Sequence, residues 1–191
     1  MSAVLDSVRH RVTVDEFYKM VDGGVFMEDD RVELIDGEMV DMAPIGSRHA
    51  GAVTRLNNLF ASALAGRAIC KVQDPLRLTT HSEPEPDLML LKPRDDFYGE
   101  AHPGADDVLL LVEVCDTSAR FDREVKLPLY ARHGVVEVWL VDLEARVVEV
   151  CTGPHGEAGA YTERRCVAAG VVAPRAMPDC GVAVEPLFSR G

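Results

Sequence analysis

Residues 108–114 read Val-Leu-Leu-Leu-Val-Glu-Val, an apolar run broken by one carboxylate, Glu113. The run is far too short to cross a bilayer. Its composition suits a strand buried on both faces of a sheet. An unpaired carboxylate there would cost several kcal/mol or take up a proton. The fold must therefore bring something to Glu113. An ion-pair partner or solvent at a strand end would suffice structurally; a metal ion or the role of general base would make the residue functional.

The rest of the chain supplies the layers that such a strand needs. Thr13-Val14-Asp15-Glu16 has the form of a capping box, so a helix starts there, with Gly23 and Gly24 placed to end it. Arg31–Ile35 and Glu38–Val40 flank Asp36-Gly37 and read as a hairpin. Val53, Leu56, Phe60, Ala63 and Leu64 recur at helical spacing, with Ser47 as the expected cap and Gly66 just beyond. Strand-like pieces follow at Ile69–Val72, Leu76–Leu78 and Leu88–Leu91. Residues 93–107 are polar and loop-like. Ala119–His133 is helical in pattern, with Pro128 expected to kink or reset it. Val135–Val141 is a second buried strand, Val147–Val150 pairs with it through the Asp142–Arg146 turn, and the last forty residues read as short strands and loops. This order predicts a mixed α/β sheet with helices packed on it. No repeat or linker divides the 191 residues, so the expectation is a single domain over 1–191.

The chain carries 20 basic and 32 acidic residues, a net charge of −12. Such a chain repels phosphate backbones at long range and is no non-specific coater of DNA. A locally basic surface could still meet nucleic acid. Five cysteines, none in a CxxC pair, and a start without an apolar secretory segment suggest reduced thiols in a cytoplasm.

Two further positions gain meaning beside Glu113. Asp87 opens the apolar run Asp-Leu-Met-Leu-Leu after a proline that fixes the chain's entry. Carboxylates on neighbouring strands can hold one hard cation, and Mg²⁺ commonly takes one or two of them with water and phosphate oxygens. Lys126 shares a helix face with Asp122 and Tyr130 at four-residue spacing. It is either half of a surface pair or an ammonium beside a scissile phosphate. Glu33 on the hairpin reads as an exposed strand residue, His49 as a surface or phosphate-facing residue at a helix start, and Trp139 as core.

The pieces TVDEFYKM, RVELIDGEMVDMAP, His49, EPDLMLL, LLVEVCDTS and FDREVKLPLYARHGVVEVWLVD occur in that order over about residues 13–150. In order and spacing the chain resembles the Uma-two-type endonuclease family of the PD-(D/E)xK nuclease superfamily. The resemblance implies a restriction-endonuclease-like core over that span, with a short-strand extension after it. It assigns Asp87 and Glu113 as metal-binding acids, with the Val114 carbonyl beside them, and Lys126 as the displaced catalytic lysine. Glu33 becomes an added carboxylate and His49 a possible substrate contact. Two departures stand out. Cys115 occupies the superfamily lysine's usual place, and Asp116 adds a negative charge just after it. The resulting expectation is a Mg²⁺-dependent endonuclease, with Mn²⁺ as a substitute ion, acting on nucleic acid and on DNA ahead of RNA. A homodimer follows by analogy, one site for each strand. Two other readings stay open here: a non-catalytic nucleic-acid or protein-interaction domain that keeps the nuclease fold, and a structural protein.

Overall fold

The computed structural model describes residues 8–27 and 29–189. They form two compact units: residues up to Ala43 together with Arg77–Pro84, and Pro44–Leu76 together with the chain from Glu85 onward. Among the described residues no helix is long and apolar enough to cross a membrane.

In the first unit, helix α1 (Val14–Asp22) begins at a complete capping box. The Thr13 hydroxyl accepts the Glu16 N–H, and the Glu16 carboxylate accepts the Thr13 N–H at 2.8 Å. Phe17, Tyr18 and Met20 pack on a small core of Val12, Val14 and Leu34. Strands β1 (Val32–Ile35) and β2 (Glu38–Asp41) form the expected hairpin. Asp36 and Gly37 both have positive φ, 49° and 79°, which suits the right-handed twist of the strands. A side chain at Gly37 would come within 2.6 Å of the Arg11 Cβ, so glycine is required there twice over.

The second unit is built on a six-stranded mixed sheet, in the order β3 (Ile69–Lys71), β4 (Leu88–Leu91), β5 (Val108–Cys115), β6 (Glu137–Asp142), β7 (Val147–His155), β8 (Ala160–Val167). All neighbours are antiparallel except β5 and β6. That parallel pair needs a crossover, and the helical segment between the two strands supplies it. Helix α2 (Ser47–Leu64) buries Val53, Leu56 and Phe60 in a core shared with Leu110, Val112, Val114 and Trp139. The Phe60 and Trp139 rings lie 6.0 Å apart. Each fully buried side chain of this kind contributes about 1.5–3 kcal/mol. A two-residue pair, β9 (Val171–Val172) and β10 (Val182–Ala183), and a 3₁₀ turn at Glu185–Phe188 close the chain.

The structure departs from the sequence expectations at three places. Ser47 is the first helical residue and Gly46 the cap. Leu76–Leu78 joins no ladder; the Leu78 N–H closes a turn onto the Ser82 carbonyl at 3.0 Å. The C-terminal region contains a long strand, β8, whose run Glu163-Arg164-Arg165 is polar because it forms one edge of the sheet. Pro128 does reset the helix, dividing it into α3 (Ala119–Phe121), a π-helical turn (Asp122–Lys126) and α4 (Leu127–Arg132). Proline has no N–H for the ladder and crowds the carbonyl one turn back, which accounts for the widened turn before it.

Candidate active site

The register of β4 on β5 pairs Leu88 with Val112, so the next step along brings Asp87 opposite Glu113. Along β5 the side chains alternate. Leu110, Val112 and Val114 enter the core beneath α2, which leaves Glu113 and Cys115 for the opposite face. There the crossover segment delivers two partners to Glu113. The Tyr130 hydroxyl donates to Oε1 at 2.6 Å, and the Lys126 ammonium lies 3.3 Å from the same oxygen. Lys126 also donates to the Glu85 carbonyl at 3.5 Å.

Asp87 is tied in from three sides. Its Oδ2 accepts the Val114 N–H at 2.8 Å and meets His49 Nε2 at 3.0 Å. Its own N–H points to Glu113 Oε2 at 3.4 Å. Asp122 is buried too, and its carboxylate accepts the Ser118 hydroxyl at 2.6 Å. The structure thus brings Asp87, Glu113, Val114, Lys126 and His49 together at one end of the sheet. Glu33, read from the sequence as an exposed strand residue, is instead buried on β1 of the first unit, opposite Val40.

Burial dominates the electrostatics. Glu113 is 2% exposed and Lys126 5%. Burial, with the neighbouring charges of Asp87 and Asp122, pushes the Glu113 carboxyl up to about 8, although Lys126 and the Tyr130 hydrogen bond pull it down. Burial likewise raises the Asp122 carboxyl against the opposing Ser118 hydrogen bond and Lys126 charge. The Asp87 hydrogen bond raises His49, whose Nδ1 is buried without a hydrogen-bond partner. Cys115, where a lysine might stand, is an inert buried thiol, raised first by desolvation and then by Asp122. Asp116 is turned to Arg48 at 3.3 Å.

Asp122 and Tyr130 are the site residues that sequence reasoning passed over. Their signal was the four-residue spacing around Lys126, but it suggested a solvent-exposed pair. All three side chains are buried. Two carboxylates offer hard oxygen donors, the chemistry that suits Mg²⁺. Among the described residues no group of three or more His, Cys, Asp or Glu converges as a ready-made metal cage.

A mixed sheet flanked by helices, with acids on adjacent strands and a lysine from the crossover, defines a restriction-endonuclease-like protein. The chain belongs to the Uma2 family, described as "Putative restriction endonuclease", whose model matches residues 14–185. It is similar in structure to a "putative nuclease belonging to DUF820" from Anabaena variabilis ATCC 29413, with a TM-score of 0.71 at 17% identity. That match covers 93% of this chain and 97% of the other. No curated protein matches the chain.

Proposed function

We propose that the protein is a divalent-metal-dependent endonuclease that hydrolyses phosphodiester bonds in nucleic acid, DNA ahead of RNA. The observation that carries this reading is the excess of buried acid at one sheet end: Asp87, Glu113 and Asp122 around a single lysine, Lys126. A structural ion pair needs one acid for one lysine, whereas the additional carboxyl groups offer the hard oxygen donors of a cation site. Asp87 and Glu113, with the Val114 carbonyl, would hold Mg²⁺ or its substitute Mn²⁺, leaving the remaining positions to water and phosphate oxygens. Such an ion supplies Lewis acidity toward the phosphate and lowers the pKa of its bound water.

The chain's own groups do the rest. Tyr130 fixes one oxygen of Glu113, so the carboxylate is oriented before the ion arrives. Lys126 positions the attacking water and stabilises negative charge growing on the phosphate. His49 orients Asp87 and, when protonated, adds a positive charge where the phosphate approaches. Glu33 enters only through the family resemblance, as an accessory carboxylate. Two copies, one for each strand, would suit a duplex substrate.

The test is a nuclease screen of single- and double-stranded DNA and RNA with Mg²⁺ or Mn²⁺, with purified E113Q as the control for contaminants. Cleavage by the wild type alone is the expected result. Nucleic-acid binding with no cleavage under any metal would favour the non-catalytic domain.

A further inference from the structure

The second unit carries a groove of about 490 Å³ between the first turns of α2, the β6–β7 turn and the C-terminal 3₁₀ turn. Arg48 and Arg55 of α2 and Arg146 of the β6–β7 turn line it, with Glu144 as an acidic residue on its wall. The groove adjoins the carboxylate centre. His49, next to Arg48, reaches Asp87, and the Leu143 N–H donates to the Cys115 carbonyl at 3.0 Å.

Three features single out this groove. First, Arg55 and Arg146 are anchored by backbone rather than by acid. They donate to the Leu187 and Phe188 carbonyls at 3.2 and 2.9 Å, and among the described residues neither pairs with a carboxylate. Their charge is thus not matched by an acid, as it is at Arg67, Arg77, Arg94, Arg120, Arg123 and Arg164. Second, Arg146 has φ of 56°, a left-handed conformation that favours glycine or asparagine. Asp142 Oδ1 already closes the turn by accepting the Glu144 and Ala145 N–H groups at 3.1 and 2.8 Å, so the turn itself does not call for arginine. Asp36, Ala65, Gln73, Phe97 and Tyr98 share the left-handed region, so the conformation gains weight at Arg146 only because that residue also lines the groove. Third, α2 opens on Gly46 with no side-chain cap and no acid of its own in its first turn. Arg48 is shared, since it binds Asp116 and the Leu143 carbonyl.

We propose that this groove carries the phosphodiester backbone of one nucleic-acid strand away from the carboxylate centre, with Arg55 and Arg146 each taking a phosphate. The occupant's identity rests on the nuclease reading. Along α2, Arg48 to Arg55 spans about 10 Å at ~1.5 Å per residue. Guanidinium groups with unshared N–H donors match phosphate geometry, and such contacts hold a strand without reading its sequence.

The test follows anisotropy of fluorescein-labelled single-stranded DNA of roughly 20 nucleotides against salt, in Ca²⁺ buffer. The double variant R55Q/R146Q is expected to bind ~10–100-fold more weakly, with a salt slope shallower by about 1.4, at ~0.7 per phosphate. R165Q, on β8, removes an equal charge per site elsewhere and should leave the slope unchanged. Arg146→Gly supplies a second arm. It relieves the left-handed backbone, so its melting temperature should hold while affinity falls. An unchanged slope in R55Q/R146Q, or a melting temperature in R146G that falls in step with affinity, would overturn the proposal. Absence of wild-type cleavage together with the shallower slope would sink the catalytic reading and support the groove.

Discussion

Two buried acids one and two strands apart from Glu113 on the same sheet meet a different fate. Asp142 on β6 receives Arg123 at 2.8 Å and the Glu144 and Ala145 N–H groups, while Glu149 on β7 receives Arg164 at 2.8 Å and Arg123 at 3.5 Å. Burial pushes the Asp142 carboxyl up, but the Ala145 N–H and Arg123 outweigh it, and the net shift is downward. Glu113 has one lysine, one tyrosine hydroxyl and two neighbouring carboxylates, and is driven up to about 8. The Arg123 cluster is a closed account of charge; the Glu113 cluster is left short of positive charge. Burial alone therefore does not mark a site. The mismatch between buried charge and its partners does.

The contrast breaks most sharply at Glu113. E113Q should stay folded and lose cleavage by at least ~10³-fold, because it removes the anion that a hard cation needs. Divalent-ion titration by calorimetry should show lost binding beside an unchanged circular-dichroism spectrum. K126M should retain ion binding and slow single-turnover cleavage by ~10²–10³-fold. Wild-type rates in both folded variants would equate the two clusters and end the mechanism.

R123Q probes the other cluster. It strips Asp142 and Glu149 of one partner and should cost about 2–3 kcal/mol in urea unfolding, since backbone N–H groups and Arg164 still serve the acids. The protein that remains folded should bind divalent ions as the wild type does. An intermediate loss in both properties would mean that the two clusters are coupled.

The smallest effect is a difference in the direction of pH dependence without metal. Glu113 holds a proton in the folded chain between its ordinary 4.5 and about 8. Its stabilising contribution is thus full below the ordinary value and lost as pH rises through about 8. Asp142 acts in reverse: its contribution is full above the ordinary 3.8 and lost as pH falls through its lowered folded value. Urea midpoints in EDTA should decline toward alkaline pH in the wild type, and E113Q should flatten that decline while leaving the acid limb in place.

These roles were legible in unequal degree. Glu113 announced itself, because an acid inside an apolar strand is costly wherever the strand sits; Asp87, at the head of a strand, gained meaning only beside it. The Asp-Gly hairpin, the capping box and the stripe of α2 are equally local and read directly. Asp122 and Tyr130 were hidden because spacing gives a shared helix face without saying which way that face turns. The pairing of Arg123 with two strands lay further out of reach, since it depends on β6 and β7 lying side by side over the crossover. The polar edge of β8 resembled a loop for a similar reason: an edge strand buries too little to show an apolar period.

The widened turn at Asp122–Lys126 also bears on how this chain tolerates insertion and deletion. A π turn holds one residue more than the α-helical ladder requires. Deleting Arg123 or Glu124 would restore an ordinary helix, whereas a deletion in a regular stretch turns everything beyond it by about 100° at 3.6 residues per turn. Lys126 and Tyr130 lie on one side of that joint and Ser118 on the other. The widened turn already absorbs the extra residue, so a single deletion inside it would leave Lys126 and Tyr130 aimed at Glu113, while a deletion within residues 127–129 would turn Tyr130 away from it.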